Sequence, residues 1–301
     1  MPRTLSQPKK KPSSSRKKAV FGCSGGLRPL KSPGQSTTGA PFSLTQGRRR
    51  APLQRSARHF KLTIAYDGTR YAGWQLQPLG ETIQEVIEAA LTQIAGCPVR
   101  VHGSGRTDAG VHAKGQVANC LLDTRHKLDV LLRALNANLP EDIRVSRVQE
   151  VDAKFHARFS AKRKEYRYQI DCGRVADPFL RAYTWHYPRP LDVAAMRRAG
   201  KLLKGRHDFS ALSANPMRKV ETTVRTISKL SVTRMGNILT IAVVADGFLY
   251  KMVRSIVGAL VKVGEGRLTV GELRGLMKAK KRTAMVETAP AHGLFLWRVL
   301  Y

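Results

Sequence analysis

The sequence predicts an α+β protein built from two αβ halves whose sheets join, with helices on one face. Three observations carry this. Strand-like and helical patterns follow in the order strand, helix, strands, helix, strand, and that order occurs twice. Runs of alternating apolar residues recur in both halves, and in the second Gly236-Asn237 joins two of them as a hairpin signal. At 301 residues and 42% hydrophobic content, the chain can bury the core of one large domain or two modest ones.

Residues 1–58 hold 14 Lys and Arg, no acid, and long Lys, Ser, Pro and Gly stretches. Such a segment buries too little apolar surface to offset its chain entropy, so a disordered basic tail is expected. The first half, 59–190, opens with the alternating strand Phe60–Tyr66 and an Asp67-Gly68 turn. Thr82-Ile83-Gln84-Glu85 reads as a capping box, and Ile83, Val86, Ile87, Ala90, Leu91 and Ile94 recur at helical spacing until Gly96. A second helix places Leu128, Leu131, Leu132 and Leu135 on one face. Strands are expected over Ile143–Val151 and over the basic run Lys162–Ile170, the latter with Tyr166 and Tyr168 on one face. The second half, 191–301, begins with an Asp192-capped helix to Leu203, followed by strands Val224–Arg234 and Ile238–Asp246. Helices over Phe248–Val263 and near Val270–Lys278 precede a terminal strand, Leu294–Leu300.

The formal charge of +32 implies a polyanionic partner, with nucleic acid the default. Without the tail the chain still carries 39 Lys and Arg against 21 acids, so the body is basic in its own right. No run approaches the roughly 18 apolar residues of a spanning helix, so no membrane protein is expected; an anionic membrane surface is the weaker alternative to nucleic acid, because no basic amphipathic helix stands out. Cys23, Cys97, Cys120 and Cys172 are scattered without metal-ligand spacing, which argues against zinc and a disulfide framework and suits a reducing compartment. The cytoplasm is expected, with an organelle as the alternative if the acid-free tail is a transit peptide.

The most informative stretch is Gly103-Ser104-Gly105-Arg106-Thr107-Asp108-Ala109-Gly110-Val111-His112. Its glycines allow a tight turn and close approach by another molecule. Strand-like residues flank it, Val99 and Val101 before, Val117 and Leu121 after. The arrangement suggests a rigid strand–loop–strand holding one carboxylate at a mouth. A dinucleotide fingerprint needs glycine where Asp108 stands, and a phosphate loop needs Lys-Ser or Lys-Thr where Val111-His112 stands. Both readings fail. A glycine-rich turn with a capping Asp remains the bland alternative.

The segment 105–112 resembles the signature of the TruA family of tRNA pseudouridine synthases. So do Tyr66-Asp67-Gly68 with Gly73-Trp74-Gln75, the motif Phe155-His156-Ala157-Arg158-Phe159-Ser160, Tyr166-Arg167-Tyr168, and Met252–Gly258. They come in family order from about residue 60 to the C-terminus. The resemblance implies the pseudouridine synthase fold, a mostly antiparallel sheet with an RNA-binding cleft, in which the two halves form one catalytic unit. It implies tRNA as partner, a homodimer, no cofactor and no metal. The implied reaction isomerises uridine in the anticodon arm, at positions 38–40: the bond to N1 is cut, the base turns, and C5 bonds to C1′.

The family's essential carboxylate maps onto Asp108, which attacks covalently or abstracts a proton at C2′; the sequence does not choose. Its cation maps onto Arg254, a neighbour of the kind that lowers a carboxylate pKa by roughly 1–3 units. The alternative for Arg254 is a solvated helix charge. Tyr166 matches the stacking tyrosine, where a single ring returns about 1–3 kcal/mol per base, or is a core tyrosine. Arg106 matches the arginine beside the flipped base, or braces the loop. Leu294 matches an apolar wall of the uracil pocket. His112 structures the loop or meets phosphate, Trp74 and Gln75 orient the loop or touch RNA, and Lys162, Arg163, Lys164 and Arg167 read as phosphate contacts. A non-catalytic basic RNA-binding or chaperone-like protein is the competing class. It has no need of Asp108, Arg106, Tyr166 and Arg254 together, and all four are present.

Overall fold

The alternation predicted for the first strand is built as β1 (Arg58–Tyr66), with Phe60, Leu62, Ile64 and Tyr66 buried. The computed structural model describes residues 57–214 and 221–301. Apart from its last two residues, the expected tail 1–58 lies outside them. After β1 come α1 (Ile83–Ala95), β2 (Val101–Gly103), β3 (His112–Leu122), α2 (Leu128–Asn138), β4 (Ile143–Glu150), β5 (Arg163–Asp171) and β6 (Trp185–His186). The order continues with α3 (Val193–Leu202), β7 (Gly205–Asp208), β8 (Val224–Met235), β9 (Ile238–Ala245), α4 (Met252–Gly264), α5 (Val270–Ala279) and β10 (Leu294–Leu300).

Local chemistry sets the helix ends. The Thr82 hydroxyl accepts from Glu85 N at 3.3 Å, and Gly96 closes α1 in the left-handed region at φ 70°. Asp192 caps α3 through Ala195 N at 2.9 Å. The helix expected from Phe248 starts instead at Met252. Lys251 takes φ 55°, which breaks the helical path before it, and Phe248 stays in the preceding loop.

The strands of the described residues join one sheet in the order β4-β1-β3-β10-β5-β9-β8-β7, with β2 on β3 and β6 on β5. Only β10 with β3 and β6 with β5 run parallel; the other pairs are antiparallel. The hairpin at Gly236-Asn237 forms as expected, with Met235 opposite Ile238. The edge strand β7, Gly-Arg-His-Asp, has no apolar alternation to announce it, and β6 is two residues long. Neither was expected; both exist through pairing with longer neighbours.

The terminal strand positions the site. β10 inserts between β3 and β5, with Leu296 opposite both Ala113 and Tyr166, and Leu294 opposite Tyr168. Directly opposed residues share a face, so Tyr166, Tyr168, Leu294, Leu296, Ile241 and Val243 form one buried surface, on which α4 packs against β5. A bulge between Ile64 and Tyr66 swings the end of β1 toward Ala113, where the glycine-rich loop returns to the sheet.

Candidate active site

The loop 104–111 joins β2 to β3, which pair antiparallel from Val101 opposite Cys120 to Gly103 opposite Ala118. Its backbone is fixed from below. Ser104 Oγ donates to Gln116 Oε1 at 2.7 Å, Gln116 Nε2 donates to Gly105 O at 2.9 Å, and Lys164 Nζ donates to Ser104 O. From the side, the Tyr66 hydroxyl and Thr107 Oγ1 share a 2.8 Å hydrogen bond, and Trp74 N donates to Thr107 O at 3.1 Å. The glycines of the neighbouring turn exist for this contact. A Cβ on Gly68 would lie 2.1 Å from Val111 O, and one on Gly73, at φ 103°, 2.6 Å from Thr107 O. Gly68→Ala is therefore expected to lower unfolding free energy by about 2–3 kcal/mol, read by urea denaturation, because backbone cannot yield as a side chain can.

So held, the loop presents Asp108 to α4. Every residue of α4 is buried except Arg254, whose Nη1 donates to Asp108 Oδ2 at 2.9 Å. The same guanidinium donates through Nε to Ala289 O at 2.7 Å, and Ala289 N returns a bond to Arg254 O at 3.1 Å. Arg254 is thus aimed by two fixed acceptors. The side chains are 13% and 26% exposed, so the pair is partly desolvated while the carboxylate stays reachable. Tyr166 is buried on β5 with its ring edge-on to Phe248, centroids 5.0 Å apart. Burial raises its phenol pKa, and the neighbouring Tyr66 phenol and Asp108 carboxylate raise it further, so Tyr166 is a neutral ring at neutral pH and no base. Among the described residues no group of three or more His, Cys, Asp or Glu is placed to hold a metal ion.

The family model described as tRNA pseudouridine synthase matches residues 62–160 and 199–301. The chain belongs to the TruA family of tRNA pseudouridine synthases. Its activity is that of an isomerase, a tRNA pseudouridine synthase. Relatives agree along almost their whole length. The tRNA pseudouridine synthase A of Geobacillus sp. (strain WCH70) is 45% identical over 248 residues, 81% of this chain and 99% of that one. That of Brevibacillus brevis is 46% identical over 244 residues, 81% and 100% of the two chains. That of Moorella thermoacetica is 46% identical over 245 residues, 80% and 98%.

In this synthase the remaining predicted residues fall into four settings. Arg106 is exposed beside Asp108, with Nε donating to Gln75 Oε1 at 3.1 Å, which gives Gln75 an orienting part. Leu294 is buried opposite Tyr168 on the same face as Tyr166. Lys162 and Arg163 are exposed.

The other three are committed to protein groups. His112 is buried, stacked on Phe295 with centroids 4.8 Å apart. Gly68 N–H donates to its Nδ1 at 3.0 Å, and its Nε2 donates toward the Ala182 and His292 carbonyls, each at 3.0 Å. Burial lowers its pKa, so the 3.1 Å approach of Asp67 Oδ1 joins a neutral ring, not an ion pair. His112 braces the loop's return to the sheet. Arg167 points to the sheet face opposite Tyr166, with Nε on Glu165 Oε1 at 2.8 Å and its guanidinium 3.9 Å over the Trp297 ring. Lys164 lies under the loop rather than out in solvent. Gln116 was not singled out from sequence, and Tyr66 and Thr107 entered only as members of matched motifs, with no bracing part assigned to them. Gln116 left no signal, because its strand also carries His112, Lys114 and Asn119.

Burial lowers the Lys164 pKa from 10.5 to about 8, with the Arg158 charge adding to it. Between those values the unfolded chain holds a proton that the folded one has released, so raising pH favours folding. The unfolding free energy of wild type minus that of Lys164→Met is expected to grow by about 2 kcal/mol from pH 7.5 to 10. Paired urea titrations across that range check it.

Proposed function

We propose that this synthase isomerises uridine to pseudouridine in the anticodon arm of tRNA, at positions 38–40, with Asp108 as the reacting carboxylate. The observation that carries the reading is the Asp108–Arg254 pair, 2.9 Å across 146 positions of sequence, at a loop braced from below and from the side. The uridine leaves its stack at a cost of a few kcal/mol. Tyr166 supplies the ring under the displaced base and Leu294 an apolar wall. Arg106, exposed at the loop, occupies the space from which the base departs. Arg254 aims the Asp108 carboxylate and sets a positive charge against it beside the RNA phosphates.

At C1′ the bond to N1 breaks, the uracil turns within the pocket, and C5 bonds to C1′. The proton displaced from C5 leaves as N1 regains one, so no redox partner enters the balance. Covalent attack by Asp108 and abstraction of the C2′ proton both require the carboxylate to be anionic. Lys162 and Arg163 hold phosphates without reading sequence. The working form in this reading is a homodimer in the cytoplasm.

The test is pseudouridine mapping on tRNA treated with the purified protein, by carbodiimide modification and primer extension. Stops at positions 38–40 are expected. Stops confined to another arm would move the substrate site, and tight salt-sensitive binding without stops would favour a non-catalytic RNA-binding role.

A further inference from the structure

The motif Phe155–Ala161 takes no part in the chemistry above, yet it builds an aromatic and basic surface beside the reacting loop. Phe159 is 75% exposed, an unusual setting for a phenylalanine on a soluble surface. Its ring lies 4.4 Å from that of His156, and the Arg158 guanidinium stands 5.5 Å over it. His102 extends the cluster, its ring 5.5 Å from His156. His102 belongs to β2, which runs directly into the Asp108 loop, and the charge of Arg158 is felt at Lys164 beneath that loop.

The turn is held as a platform. Ala157 N donates to Asn119 Oδ1 at 2.8 Å, and the Tyr301 hydroxyl donates to Ala157 O at 2.8 Å. Ser160 N donates to His156 O at 2.9 Å, and His156 N donates to Ser160 Oγ at 3.1 Å. His156 Nδ1 accepts from Arg158 N at 3.1 Å, which fixes the ring that backs Phe159. Burial, aided by His102 and Arg158, lowers the His156 pKa. The platform therefore offers flat rings with one permanent cation, Arg158, at the rim.

We propose that Phe159, backed by His156 and His102 and rimmed by Arg158, is a subsite that stacks an unpaired base of the tRNA next to the reacting uridine. This rests on the reading that RNA reaches Asp108. Every base has a π face, so such a platform captures a displaced neighbour whatever its identity, while Arg158 meets its phosphate. It gives the enzyme a way to hold the strand open on one side of the target.

Steady-state kinetics on full-length tRNA with Phe159→Ala, Phe159→Trp, Arg158→Gln and Asp108→Asn test this. Phe159→Ala is expected to raise KM about tenfold while kcat moves less than threefold. Phe159→Trp should keep KM within about threefold of wild type, because any flat ring serves. Arg158→Gln should reduce the slope of log affinity against log salt by about one, a change Phe159→Ala should not make. A Phe159→Ala enzyme with KM within about twofold of wild type, alongside an inactive Asp108→Asn, overturns the subsite and leaves Asp108 standing. An active Asp108→Asn overturns the reading of the site itself.

Discussion

Asp108→Ala is expected to reduce turnover of tRNA by about 10³-fold or more, while tRNA affinity changes less than about tenfold. The loss is large because the reaction needs an anionic oxygen at one position, and nothing adjacent can replace it. The carboxylate of Asp67 is already taken by the Thr69 hydroxyl and by the Tyr183 hydroxyl at 2.7 Å, and it lies against buried His112. The phenol of Tyr166 is neutral at working pH. Affinity is spared because phosphate contacts from many Lys and Arg dominate binding of RNA by a chain of net charge +32. Asp108→Asn keeps the volume and offers Arg254 a carbonyl oxygen, so it separates charge from shape. It should be as inactive as the alanine variant in single-turnover assays at saturating enzyme. Activity within about tenfold of wild type in either variant would move the chemistry off Asp108.

How legible the site was depends on whether its parts are local in sequence. The capped helix α1, the alternation in β1 and the glycine-rich loop are local, and each was read from spacing and turn chemistry. The Asp108–Arg254 contact is not. No periodicity connects positions 146 residues apart, and only the resemblance to a known family joined them. The place of β10 is similar: a terminal strand reads as a strand, but nothing local inserts it between β3 and β5. Charge was the least informative signal. Lys162, Arg163, Lys164 and Arg167 read alike as phosphate contacts, whereas the pleat sends alternate residues to opposite sides. Lys164 is drawn under the loop to Ser104 O, and Arg167 to Glu165 and Trp297 on the far side. Glu165, buried between Arg167 and Arg298, is what turns that cation inward, and a count of charges does not register it.

Arg254→Ala is expected to lower kcat about 10²–10³-fold and, unlike changes at Asp108, to destabilise the fold as well. The guanidinium serves two acceptors on different segments, Asp108 Oδ2 and Ala289 O. Its removal leaves a partly buried carboxylate without its cation and a backbone carbonyl without its donor. Exposure of the pair limits the penalty to about 1–3 kcal/mol, below that of a fully buried pair. Arg254→Lys has one compact donor group in place of a planar fork, so it can satisfy either acceptor but not both. It should recover part of the stability and remain about tenfold or more slower than wild type. The double variant Asp108→Asn with Arg254→Ala makes the argument specific. With the charge gone, the orphaned group is a neutral amide, and part of the stability lost in Arg254→Ala should return. If the double variant is instead as unstable as the sum of the two singles, the two side chains do not share an energy. Arg254 would then be a strut for the 287–289 segment, and the ion pair would not be what holds the reacting carboxylate.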